Sequence, residues 1–117
     1  MDPLIQQGAQ ALIIPTMDSI GWGTHQHQLH SLVAPVRARE YGVGILRVAS
    51  SGISQLVSPD GVVLASAPTP GPEAMIQGEL SIVNAGHLPI DRTLAWISIL
   101  VTGCLVMGLV TLSRQRA

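Results

Sequence analysis

A chain of 117 residues with six arginines, no lysine and seven acids carries a net charge of −1, so there is no electrostatic case for nucleic-acid binding. Phenylalanine is absent and aromatics make up 3 % of the chain, so any core is built from Val, Ile, Leu, Ala and Met. The one cysteine, Cys104, excludes an internal disulfide and a CxxC metal site.

Pro3 to Gly8 reads as the end of a helix, because proline suits a first turn and glycine caps a last one. Ala11 to Ile14 is a short continuous apolar run ended by Pro15, the pattern of a strand buried on both faces. Thr16 to Thr24, with Gly21 and Gly23 around Trp22, reads as a loop. A helix follows over Gln26 to Tyr41. Leu29, Leu32, Val33 and Val36 repeat at i, i+3, i+4, i+7, and Gly42 provides the stop. Pro35 should kink this helix or split it in two, since an interior proline costs about 3 kcal/mol.

Beyond Gly44 the period changes to that of strands. Ile45 to Ala49, Ile53 to Ser58 and Val62 to Ser66 are β-rich runs separated by Ser50-Ser51-Gly52 and Ser58-Pro59-Asp60-Gly61. The second is a strong hairpin signal, with Pro presetting φ and Gly accepting the left-handed conformation. Pro68 to Pro72 reads as a stiff surface loop, Met75 to Val83 as a last strand, and residues 84–92 as a linker. A layered α/β or α+β domain fits this order.

Residues 93–113 contain no charged side chain. At about 1.5 Å per helical residue the run covers the roughly 30 Å hydrocarbon core of a bilayer, and only a helix satisfies its own backbone there. Arg92 closes one end, Arg114 and Arg116 the other, and Trp96 falls at interfacial depth. The excess of arginine in the tail, residues 114–117, predicts a cytoplasmic C-terminus and an extracytoplasmic domain over 1–92. The opening Met1-Asp2-Pro3-Leu4 has no basic region followed by a long apolar stretch, so either the charge bias misleads here or sequence upstream of the domain is missing; the second is the favoured expectation. Cys104 lies at membrane depth, where a thiol is inert.

Clusters that could carry chemistry are few. His27 and His30 are helix neighbours at i, i+3, but His25 lies on another face. No Cys, Asp or Glu between residues 19 and 39 completes a metal set, so the three read as a polar helix start. Ser50 and Ser51 lack the flanking glycines and following helix of a nucleophile elbow. Arg37 and Glu40 read as a surface ion pair of small worth.

The order of short motifs is more informative than any one of them. Gly8-Ala9 precedes the first strand, Thr16-Met17-Asp18-Ser19 leaves it, and Trp22-Gly23 follows in the loop. Val36-Arg37-Ala38-Arg39-Glu40-Tyr41-Gly42 lies on the helix. Leu46 to Ser54 and Ser58 to Ala65 complete the series. Together these resemble the C-terminal half of the nitrilase (carbon–nitrogen hydrolase) superfamily, most closely its apolipoprotein N-acyltransferase branch. There the domain lies outside the bacterial inner membrane and precedes a final transmembrane helix.

The resemblance covers residues 4–83 and the apolar run. It implies the C-terminal half of a nitrilase-type α-β-β-α sandwich over residues 1–83, with no cofactor. It also implies acyl transfer from a phospholipid to the N-terminal amine of a lipoprotein, or amide hydrolysis. The implied partners are membrane lipid, a lipoprotein substrate and the N-terminal half of the fold. The family's Glu-Lys-Cys catalytic set lies upstream of the matching stretch, so no catalytic residue carries over and this chain alone is expected to be inactive. Asp18, Ser19 and Trp22 match the loop that borders the family's pocket and are the substrate-side candidates. The alternative is a small membrane-tethered structural or interaction module that reuses half of the fold.

Overall fold

The computed structural model describes residues 1–67, 74–82 and 84–115. Helix α1 (Asp2–Gln6) carries Pro3 in its first turn, and strand β1 (Ala11–Thr16) follows. Helices α2 (Thr24–Ser31) and α3 (Val33–Tyr41) cross back to strand β2 (Gly44–Ala49). Strands β3 (Ser54–Val57) and β4 (Val63–Ala67) complete a four-stranded sheet in the order β1-β2-β3-β4. β1 and β2 are parallel, with Leu12 opposite Ile45 and Ile14 opposite Arg47; the two later pairings are antiparallel. This is a mixed α+β architecture in which a helical crossover joins the parallel pair.

The core lies between the sheet and the helices. Ile5, Leu12, Ala34, Ala38, Tyr41, Val43, Ile45 and Val57 form one buried cluster. Small residues at Ala34 and Ala38 let α3 lie close to β2 and β3. The β3–β4 turn forms at Ser58-Pro59-Asp60-Gly61, where Gly61 has φ +80° and its N–H donates to the Ser58 carbonyl at 2.9 Å. A register shift between Leu56 and Val57 accompanies it.

Several expectations need correction. β1 is covered on one face only: Leu12 is buried, whereas Ile13 is 73 % exposed. It lies at an edge of the sheet, which explains why Pro15 sits inside it without costing a ladder bond. The helix over Gln26 to Tyr41 is split in two, as expected from Pro35, with the break at Leu32; Pro35 is third in α3, where its missing N–H has no intrahelical partner to lose. The periodic stripe faces outward: Leu29, Leu32, Val33 and Val36 are exposed, while His27, Ser31, Ala34, Ala38 and Tyr41 face inward.

The strand expected over Met75 to Val83 is not found in residues 74–82; Val83 itself lies outside the described residues. This segment crosses the sheet instead of pairing along its edge. A Cβ on Gly78 would stand 2.7 Å from Leu56, and one on Gly44 2.5 Å from Leu80, so the segment packs against strand faces. The stretch expected to be a linker also packs. Gly86 N–H donates to the Ala9 carbonyl at 3.2 Å, His87 N–H to that of Tyr41 at 2.9 Å, and Leu88 lies on the core. The loop expected at Pro68 to Pro72 lies outside the described residues.

Helix α4 (Asp91–Gln115) extends the expected 93–113 span by two residues at each end. It is long and apolar enough to cross a membrane, and none of its residues is buried against the rest of the chain. At its foot Arg92 Nε lies 2.9 Å from Asp2 Oδ2, and Asp2 in turn accepts a hydrogen bond from the Tyr41 hydroxyl. That bond lowers the pKa of Asp2 and raises that of Tyr41. α1, α3 and the start of α4 are thereby tied at one point.

Candidate functional site

At the carboxyl ends of the two parallel strands, where crossover folds of this kind hold their ligands, the chain concentrates its buried polar groups. β1 releases Asp18 into the loop that precedes α2. β2 carries Arg47, a cation within an otherwise apolar strand. Arg47 Nη2 donates to Asp18 Oδ2 at 2.8 Å and Oδ1 at 3.1 Å, and its other terminal nitrogen donates to the Ile53 carbonyl. The Asp18 side chain is fully buried and that of Arg47 is 3 % exposed.

The other members come from α2. His30 Nδ1 is 2.9 Å from Asp18 Oδ1 and 3.1 Å from Arg47 Nη2. His27, buried beneath, places Nδ1 3.8 Å from Asp18 Oδ2, and that nitrogen has no hydrogen-bond partner. Trp22 lies edge-on to His30 at 5.4 Å between ring centroids and tilts against His27 at 5.8 Å. The start of α2 is secured by Gln26 Oε1, which accepts the Gly23 N–H at 3.0 Å and holds the loop behind Trp22.

Burial pushes the Asp18 carboxyl up, but hydrogen bonding and charge from Arg47, joined by His30, more than offset this and hold it below its ordinary value. Asp18 is therefore ionised at neutral pH. Gly52, in the loop after β2, makes the arrangement sterically possible: a Cβ there would stand 1.8 Å from Asp18 Oδ2.

Of the residues singled out in the sequence, the structure brings Asp18 and Trp22 together and leaves Ser19 aside. Ser19 is exposed, and its Oγ accepts the Gly21 N–H at 3.3 Å, which shapes the loop. His27, His30, Arg47 and Gly52 belong to the site and were not assigned to it from the sequence. An arginine inside the run Ile45-Leu46-Arg47-Val48 was the signal to follow, because a buried cation requires an acid nearby. The histidines are more than a polar helix start; the acid that meets them is Asp18, one position before the acid-free stretch 19–39. Among the described residues no three His, Cys, Asp or Glu side chains form a group able to hold a metal. Both Asp18 oxygens are already taken up by Arg47.

Two cavities adjoin the cluster and share His30 and Val33. One, of about 410 Å³, is lined by Trp22, Gln26, Leu29, His30 and Val33. The other, of about 210 Å³, reaches Ile14, Thr16 and Arg47 between β1 and the helices. A shallow cleft of about 620 Å³ at Arg39, Asp60 and His87 lies apart from this chemistry. Cys104 lies on α4, and the sequence has no lysine.

The fold and the cluster define an α+β domain with a polar site at the ends of its parallel strands and a membrane-length helix behind it. Comparison with family models, with curated proteins and with solved structures gives no match.

Proposed function

We propose that this chain is the substrate-side, C-terminal portion of a membrane-anchored nitrilase-superfamily N-acyltransferase of a bacterial inner membrane. The domain would lie extracytoplasmically and the tail in the cytoplasm. The observation that carries the reading is a buried Asp18 held by Arg47 at the carboxyl ends of two parallel strands, in the loop whose motifs resemble the border of the family's pocket. The order of motifs from Gly8 to Ala65 supports it, as does the membrane-length helix after the domain. The open edge of β1 and the exposed Ile13 and Val48 on the outer sheet face are what a second sheet would cover.

In this reading a cysteine on the N-terminal half attacks the acyl carbonyl of a phospholipid, a glutamate handles protons and a lysine stabilises the oxyanion. Asp18 and Arg47 shape the wall of the pocket, and Trp22 offers an apolar edge to the acyl chain or the acceptor.

The test is complementation. Membranes holding this chain together with a nitrilase-type N-terminal half that supplies Glu, Lys and Cys are assayed for transfer of labelled acyl groups from phospholipid to a lipopeptide amine. Transfer that requires both pieces is expected. A chain that remains monomeric and shows no association with such a half would favour the membrane-tethered module.

A further inference from the structure

Within the polar cluster, His30 is the titratable group that reaches open space: its side chain is 37 % exposed, whereas those of Asp18, His27 and Arg47 are buried. Its Nδ1 faces both Asp18 Oδ1 and Arg47 Nη2. Arginine only donates, and this Nη2 already serves both carboxylate oxygens, so the hydrogen-bond network assigns the ring proton to Nδ1, directed at Asp18. The lone pair then resides on Nε2, which no described residue engages. The Trp22 edge and the immobile Asp18 fix the plane of the ring, and His30 lines the cleft shared with Trp22, Gln26, Leu29 and Val33. A buried carboxylate orienting the imidazole of a cleft-lining histidine, with its second nitrogen left to accept a proton, is the base-and-orienter pair of hydrolytic sites.

The geometry points to a thiol-independent hydrolytic activity of this chain, with His30 as general base toward water and an activated ester of a short apolar acid as substrate. Asp18 is the positioning residue. Nε2 takes a proton from water as the water oxygen bonds to the carbonyl carbon. The tetrahedral intermediate then expels the alcohol oxygen, which takes that proton back as the ester C–O bond breaks. The products are a carboxylic acid and an alcohol, and no other reactant enters. The apolar walls at Leu29 and Val33 suit a short acyl chain, and the polar edge at Gln26 suits the attacking water. This inference needs neither a Glu-Lys-Cys set nor a second chain, and so departs from the inactivity expected of this chain alone; its failure would leave the acyltransferase reading intact, and the reverse holds too.

The experiment measures release of nitrophenolate from p-nitrophenyl butyrate by the full chain in detergent micelles, against free 4-methylimidazole at the same concentration. The rate is expected to exceed that of the free imidazole and to be unchanged in Cys104→Ser and in His25→Gln, both outside the cluster. His30→Gln is expected to lower it by about 10²-fold, within the usual range for a lost general base. The ¹⁵N spectrum of His30 should show the proton on Nδ1, and Asp18→Asn should both move it to Nε2 and slow the reaction. Equal rates in the parent and in His30→Gln would overturn the proposal, as would a parent ring protonated on Nε2. Should Asp18→Asn unfold, those two measurements still decide.

Discussion

Arg47 stands in the middle of an apolar strand, and Asp18 is what makes a cation tolerable there. Two charges taken out of water hold together only while both are present, and removing one leaves the other buried and unpaired. Asp18→Ala should therefore cost about 3–5 kcal/mol in urea unfolding at neutral pH. The pair also makes stability depend on pH. Because the Asp18 pKa is lowered in the folded state, its contribution is fully present above the carboxyl's ordinary value of 3.8 and is lost as pH falls through the depressed value. The parent's urea midpoint should drop on acidification below about pH 4. A folded Asp18→Asn variant should drop less, keeping the same-signed effect of half-buried Asp2 but not that of Asp18. Equal acid sensitivity in the two would sink this account. Asp18 and Trp22 are singled out in the sequence by the motif order of their loop, and both lie in the polar cluster. His30 is not singled out, because its spacing to His27 describes one helix face, whereas its acid arrives from the preceding loop, 12 positions away.

Elements were legible where local chemistry decides them. The Ser58-Pro59-Asp60-Gly61 turn, the helix break expected from Pro35 and the strands on either side of Gly52 all formed. The misreadings share a cause. Apolar spacing at Leu29, Leu32, Val33 and Val36 announces a helix, but only packing decides which face goes inward, and here the small residues Ala34 and Ala38 do so. Met75 to Ile82 has strand-like composition, yet it packs on strand faces at Leu56 and Gly44 instead of pairing with an edge. For α4, charge at its ends makes the prediction. If the arginines of the tail orient it, a reporter fused after Ala117 should be cytoplasmic when an upstream membrane segment is supplied. Changing Arg114 and Arg116 to glutamine should weaken that preference. An extracytoplasmic reporter in the parent would reverse the assignment.

The molecule as a whole leaves apolar surface uncovered on two sides. Leu12 and Leu56 are buried, but Ile13, Val48 and Val63 are exposed on the sheet, and Leu29, Leu32, Val33 and Val36 on the helices. At about 25 cal/mol per Å² of apolar area, covering several such side chains is worth several kcal/mol, comparable to the 5–15 kcal/mol stability of a typical domain. The isolated 1–92 segment should therefore self-associate, through the open β1 edge as well as these faces. Sedimentation should show oligomers or aggregates, and Ile13→Lys should reduce them by placing a charge on the exposed face of the edge strand. A monomeric segment with sharp cooperative unfolding would move the preference to a self-sufficient module.

By itself the sequence determined what depends on neighbours along the chain: an uncharged run of membrane length, the turn at Ser58 to Gly61, the helix–strand order as far as Ala67, and the absence of lysine and of any thiol but Cys104. Only the tertiary structure decided which faces are buried, that residues 84–92 pack on the core, and that Asp18, His30 and Arg47 meet. Those outcomes rest on contacts between distant residues, such as Asp18 with Arg47 across 29 positions. Periodicity and spacing carry no term for such contacts, because burial and charge pairing are properties of the packed chain and not of its local pattern.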